Sequence, residues 1–88
     1  MGFRVVFSKE ALRQLKKLDK QTALLITGWV RKNLEGTDDP RAHGKPLTSN
    51  RAGQWRYRVG DYRLLAKIMD REIVILILAI GHRSTMYQ

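Results

Sequence analysis

Three arginines fall within eight residues in the segment Arg56-Tyr57-Arg58-Val59-Gly60-Asp61-Tyr62-Arg63. Gly60-Asp61 is a Gly-X pair of the kind that closes a two-residue type II′ hairpin. Such a turn pairs Val59 with Tyr62, Arg58 with Arg63, Tyr57 with Leu64 and Arg56 with Leu65. Two guanidinium groups then stand directly opposite each other, with the third diagonally near. Like charges at opposed positions destabilise a sheet by up to ~1 kcal/mol. An anion held between them turns that repulsion into attraction, and the forked donors of arginine suit phosphate. The competing reading is a solvated sheet face in a basic protein. Trp55, Tyr57 and Val59 alternate onto the other face. Trp55 and Tyr57 are therefore core residues first and base-stacking platforms second.

A second group closes the chain, Gly81-His82-Arg83-Ser84-Thr85-Met86-Tyr87-Gln88. It adds a guanidinium, an imidazole and a phenol. A lone terminal tyrosine is usually a packing residue and a lone histidine usually a surface one, so these residues alone do not make the tail catalytic. His82 and Arg83 are adjacent, and in extended chain they point to opposite faces. Cysteine is absent, which removes disulfides, thiolate metal sites and a thiol nucleophile. His43 and His82 are the only histidines, so a metal site would need carboxylates as well.

The elements that must position these groups follow from pattern. Phe3 to Phe7 is β-branched and aromatic and reads as a first strand. Ser8 is a plausible N-cap, and Glu10 lies in the first turn, where the helix dipole favours an acid. Ala11, Leu12, Leu15 and Leu18 make an apolar stripe at helical spacing, with Lys9, Arg13, Lys16, Lys17 and Lys20 on the other sides. The pattern breaks near Asp19 to Thr22. A second helix follows, with Ile26, Trp29, Val30 and Leu34 on one face, and stops near Gly36. Thr37 to Pro46 is a loop rich in Asp, Gly and Pro. From Gln54 the period is two. Tyr62 to Met69 is the next strand, Asp70-Arg71-Glu72 turns the chain, and Ile73 to Ile80 is a β-branched run suited to a central strand buried on both faces. The order is β-α-α-β-β-β, which implies an α+β fold: an antiparallel meander with an N-terminal helical hairpin against it.

The whole sequence sets the bounds. Its 88 residues suffice for one domain, spanning 1–88, with one modest core. A hydrophobic content of 43% argues for a folded chain. Seventeen Lys and Arg against eight Asp and Glu give a formal charge of +9, and self-repulsion makes such an excess costly without a polyanionic partner. Nucleic acid comes first, an acidic protein second, an anionic membrane third. The opening residues have no signal-peptide shape, and the longest apolar run is too short for a bilayer. The expectation is a cytoplasmic protein.

Taken together, Gly44-Lys45-Pro46-Leu47, then Trp55 to Arg63, then Gly81-His82-Arg83 with Tyr87, resemble the RelE family of toxin–antitoxin toxins. The opening Phe7-Ser8-Lys9 with Leu15-Lys16-Lys17-Leu18 is similar too, so the resemblance spans essentially the whole chain. It implies the microbial ribonuclease-like fold and a type II toxin that acts as a metal-independent endoribonuclease. Such an enzyme uses no cofactor, cleaves mRNA in the ribosomal A site by attack of the 2′-hydroxyl on its own phosphodiester, and so inhibits translation. By position, the resemblance makes Arg63 and Arg83 phosphate-handling and leaving-group residues and Tyr87 a catalytic or base-stacking aromatic. Arg56, Arg58 and Lys45 become RNA-phosphate contacts. The family often carries Lys at the Arg56 and Arg58 positions, and arginine stays protonated at any working pH. The base is then Tyr87, His82 or water. The implied partners are mRNA and ribosomal RNA on the ribosome, and an acidic RelB-like antitoxin. Two other readings stand beside this one: a ParE-like toxin that binds DNA gyrase, and a non-catalytic RNA-binding module. ParE-like toxins generally lack both the clustered sheet arginines and the Arg-x-x-x-Tyr ending.

Overall fold

The computed structural model describes residues 2–48, 50 and 52–86. Strand β1 (Arg4–Phe7) leads into helix α1 (Lys9–Lys17) and helix α2 (Lys20–Asn33). A two-residue strand β2 (Lys45–Pro46) precedes β3 (Trp55–Val59), β4 (Tyr62–Met69) and β5 (Val74–His82), and a single turn of helix, α3 (Arg83–Met86), follows.

Local chemistry sets the helix starts. The Ser8 Oγ accepts the Ala11 N–H at 3.0 Å, and Asp19 accepts the Thr22 N–H at 3.1 Å. Each satisfies a donor that the first helical turn leaves unpaired. Asp19 is therefore the break between the helices, as the pattern required. Its hydrogen bonds from Thr22 hold its carboxyl below the usual range.

The five strands form one sheet in the order β1-β5-β4-β3-β2. β2 through β5 are antiparallel neighbours. β1, however, pairs parallel with β5, Arg4 opposite Val74 and Phe7 opposite Ile77. The sheet is therefore mixed, where the sequence pattern suggested an all-antiparallel meander. The helical hairpin returns the chain across one face, which brings β1 to the far edge of the last strand. β5 is an interior strand between β1 and β4, as its β-branched run implied, but its residues on the face away from the helices, such as Leu76 and Ala79, are only half-buried.

Cross-strand partners share a face. Tyr57, Leu64 and Ile80 form one row toward the helices. They join Ala11, Ile26, Val30, Leu34, Val59, Ala66, Ile75 and Ile77 in the buried core. Each large aliphatic side chain buried there contributes roughly 1.5–3 kcal/mol. Leu12 is a correction: it is 43% exposed. α1 meets the sheet along Ala11, Leu15 and Leu18, and at 100° per residue Leu12 turns off that line. Ile73 is another correction, since it belongs to the β4–β5 turn with a left-handed φ of 56°.

Between β4 and β5 the register shifts, Leu65 pairing with Ala79 and Ala66 with Ile77, which leaves Leu78 as an extra residue. β1 ends at the same level. Side chains of the first helical turns take over there: the Ser8 hydroxyl donates to the Leu78 carbonyl at 2.9 Å, and the Gln14 side-chain oxygen accepts the Ile80 N–H at 2.6 Å. The bulge is thus satisfied by α1 rather than by a strand.

Candidate nucleic-acid interface

The β3–β4 hairpin has the register read from its turn: Val59–Tyr62, Arg58–Arg63, Tyr57–Leu64 and Arg56–Leu65. Gly60 has φ 59° and Asp61 is not left-handed, the combination that a type II′ turn requires. Arg58 and Arg63 are therefore directly opposed on the face away from the helices. Their row ends at Gly81 on β5, which has no side chain to stand beside them.

One row along, Lys45 on β2 stands opposite Arg56, followed by Leu65 and Ala79. Lys45 is thus on the arginine face, in a second pair of opposed cations. The pairing depends on Gly44. It has φ 82°, and a Cβ there would overlap the Arg56 carbonyl oxygen, so only glycine lets β2 close on β3. Leu65 is only 4% exposed yet lies outside the core cluster. It forms an apolar floor beneath the cations.

The structure thus gathers Lys45, Arg56, Arg58 and Arg63 on one sheet face. Directly opposed pairs have Cβ atoms ~5 Å apart, and successive like-facing rows are separated by ~7 Å, which is close to the spacing of phosphates along an extended nucleic-acid strand. The Arg63 guanidinium Nη1 donates to its own turn, to the Gly60 and Tyr62 carbonyls at 3.3 and 3.2 Å. Arg83 begins α3. Its backbone N–H donates to the Asp61 carbonyl at 2.8 Å, and its Nε lies 3.9 Å from the Asp61 carboxylate. That contact ties the tail to the hairpin turn. Tyr87 lies outside the described residues.

His82 is paired with Tyr62, in the row that begins with buried Val59. Its ring belongs to the helix-side face, opposite the arginines. Lys67 was missed in the sequence. Strand alternation puts it on the same side as Leu65 and Arg63, and it is exposed. The alternating parity of β4 was available to find it.

Trp55 and Tyr57 face away from the arginines, as expected. Trp55 Nε1 donates to the His43 carbonyl at 2.7 Å, Trp29 meets the rings of His43 and Tyr57, and the Tyr57 hydroxyl donates to the Pro40 carbonyl at 2.5 Å. The aromatics anchor the 37–44 loop. A cavity of about 210 Å³ beside them is lined by Arg41, Pro46, Gly53, Gln54, Trp55 and Ile68. None of Lys45, Arg56, Arg58 and Arg63 lines it.

The model for the ParE toxin family of type II toxin–antitoxin systems matches residues 5–87. Toxin RelG of Mycobacterium tuberculosis is 33% identical over 88 residues, covering all of this chain and 99% of that protein. The chain belongs to the RelE/ParE superfamily of type II toxins. Within it this is a RelE-type toxin. It is similar to the RelBE2 toxin–antitoxin complex of Mycobacterium tuberculosis, with a TM-score of 0.85 and 32% identity across 94% of this chain and 100% of that one. The isolated E. coli RelE toxin shares the fold at a TM-score of 0.73 and 18% identity, over 92% of this chain and 84% of that one. Among the described residues of this RelE-type toxin, no helix is long and apolar enough to cross a membrane.

Proposed function

We propose that this toxin is an endoribonuclease that cuts mRNA in the ribosomal A site. The observation that carries the reading is the pair of opposed cations in each of two adjacent rows, Arg58–Arg63 and Lys45–Arg56. A fold with no anion to bind gains nothing from that arrangement. On this reading Arg58 and Arg63 hold the scissile phosphate, while Lys45 and Arg56 hold the neighbouring one.

The chemistry is an intramolecular transfer. The 2′-oxygen of the substrate forms a bond to phosphorus and gives up its proton. The bond from phosphorus to the 5′-oxygen breaks, and that oxygen takes a proton. Arginines beside the phosphoryl oxygens stabilise the charge that builds there, and a donor so preorganised is worth roughly 2.7–4 kcal/mol. Arg83, held at the Asp61 end of the hairpin, serves the phosphate or the departing oxygen. Tyr87 takes the 2′-hydroxyl proton or stacks on a base. The helix-side position of His82 favours Tyr87 over it as the proton acceptor. No step in this scheme calls for a metal or cofactor.

Primer extension on mRNA from cells making the toxin tests the proposal. Cuts within translated codons are expected, with a loss on the order of 100-fold in Arg63→Ala. A folded Arg63→Ala protein that cuts at the parental rate refutes the site. The matched model is that of the ParE toxins, which keeps open the second reading given by the sequence resemblance, a toxin that binds DNA gyrase. Loss of supercoiling activity without mRNA cuts would establish that one. RNA binding with neither effect would mark a non-catalytic module.

The expected second partner is an acidic RelB-like antitoxin. Support comes from the solved RelBE2 relative, which is itself a toxin–antitoxin complex, and from the formal charge of +9. On this reading the toxin acts in the cytoplasm, where it would meet the ribosome.

A further inference from the structure

His82 ends β5 and Arg83 begins α3. The imidazole Nδ1 accepts the Ser84 backbone N–H at 3.2 Å and lies 2.8 Å from the Ser84 hydroxyl. A ring nitrogen that accepts a backbone N–H carries no proton of its own, so the ring is neutral with its proton on Nε2. At most helix starts Ser, Thr, Asp or Asn does this work. Here an imidazole does it. The Thr85 hydroxyl closes the same turn by donating to the His82 carbonyl at 3.1 Å. Tyr62 fixes the ring from β4, edge to face, with centroids 5.4 Å apart.

We propose that His82 is a positioning residue: its neutral imidazole caps the turn that holds Arg83 at the arginine hairpin, and protonation releases that turn. A protonated Nδ1 cannot accept the Ser84 N–H. It also adds a cation at the positive end of a helical turn, next to the Arg83 guanidinium. The charged groups around it offer no relief. β4 brings Arg63, next to the Tyr62 that pairs with His82; α1, packed on β5, brings its basic last turn, Lys16 and Lys17, and Glu10 in its first; the hairpin turn brings Asp61. The two acids each already face an arginine, Glu10 with Arg13 and Asp61 with Arg83. Protonation of the ring therefore withdraws Arg83 from the hairpin. The effect on cleavage rests on the ribonuclease reading, whereas the cap itself does not.

Two measurements separate them. Long-range proton–nitrogen NMR on the labelled protein reads the His82 tautomer and the Ser84 amide directly. Nδ1 should be unprotonated at about pH 8, above the ordinary histidine range, and the Ser84 amide should shift with the same midpoint as the ring. A proton on Nδ1 at that pH, or a Ser84 amide indifferent to the ring's titration, overturns the cap whatever the protein's activity. The second measurement is the pH profile of cleavage in His82→Asn and His82→Ala, each checked for an unchanged melt. The Asn oxygen keeps the acceptor and lacks the titration. It should hold the parental rate near pH 8 and lose the fall on the acid side. Ala should lose about tenfold throughout, the population shift that a missing N-cap produces. If Asn is as inactive as Ala while folded, His82 moves a proton and the positioning role is wrong. If no variant and no parent cleaves, the ribonuclease reading fails, and the NMR result still decides the cap.

Discussion

Arg63 answers to its own turn as well as to its proposed substrate. Two of its contacts are the Gly60 and Tyr62 carbonyls, which orient the guanidinium beside Arg58. Lysine offers a single ammonium and cannot hold the carbonyls and a phosphate in one plane. Arg63→Lys should therefore lose most cleavage, whereas Arg56→Lys should be mild because Arg56 only supplies charge. Equal losses in single-turnover rate for both changes would remove the distinction. The opposition of Arg58 and Arg63 was legible in the sequence because Gly60 fixes the register two residues away. The opposition of Lys45 and Arg56 was not, since β2 is two residues long and sits inside what reads as a loop. Tyr57 makes a separate prediction. Its phenol is fully buried, and burial pushes its pKa well above the ordinary 10.0. The folded protein keeps that proton where the unfolded chain releases it. The resulting stability is complete below pH 10 and declines as pH rises beyond it. Tyr57→Phe should cost about 1–3 kcal/mol at neutral pH, because the Pro40 carbonyl loses its donor. It should also fall less steeply than the parent in urea melts above pH 10. Parallel profiles would show that the hydroxyl is solvated in the native state.

The β4–β5 turn carries a backbone cost that the strands on either side must offset. Ile73 is β-branched and sits at φ 56°, a conformation that costs an L-residue roughly 1–2 kcal/mol. With 38% of its surface exposed, its side chain recovers only part of that. Ile73→Asn should be stabilising, and a gain of 1 kcal/mol corresponds to about 4–8 °C in a domain of this size. A lower melting temperature would mean that the isoleucine packs better than its exposure suggests. The same residue shows why strand limits were harder to read than strand identity. A β-branched side chain before Val74 extends the apolar run by one. The hydrogen bond from the Ile73 N–H to the Asp70 carbonyl instead folds it into the turn. Gly81 and His82, read as the start of the tail, still pair with Arg63 and Tyr62. Composition marks where a strand is favoured, but its partner decides where it ends. The parallel placement of β1 was hidden for a related reason, because periodicity within Phe3 to Phe7 carries no information about which strand it will meet.

For the whole molecule the excess of basic residues acts as a polyelectrolyte. Four phosphate contacts, from Lys45, Arg56, Arg58 and Arg63, predict that log affinity for single-stranded RNA falls with log salt at a slope near −3, about 0.7 for each contact. Arg58→Ala should flatten that slope by one contact's share. A slope unchanged by the substitution would place the binding surface elsewhere, on the basic flank of α1. Arg41 and Asp70 set a limit at the acid end. Their two hydrogen bonds, 3.1 and 2.9 Å, link the 37–44 loop to the β4–β5 turn and hold the Asp70 carboxyl below its ordinary 3.8. Their small contribution is complete above that value and disappears as pH falls through the lowered one. The position of β5 has a further consequence, in the order of synthesis. The strand that every other part of the core leans on is the last to be made, and the Arg4–Val74 pair joins residues 70 positions apart. Until β5 exists, β1 has no neighbour and the core lacks Ile75, Ile77 and Ile80. A nascent chain therefore gains nothing by folding early. The complete sheet behind the proposed RNA face therefore waits on the synthesis of β5.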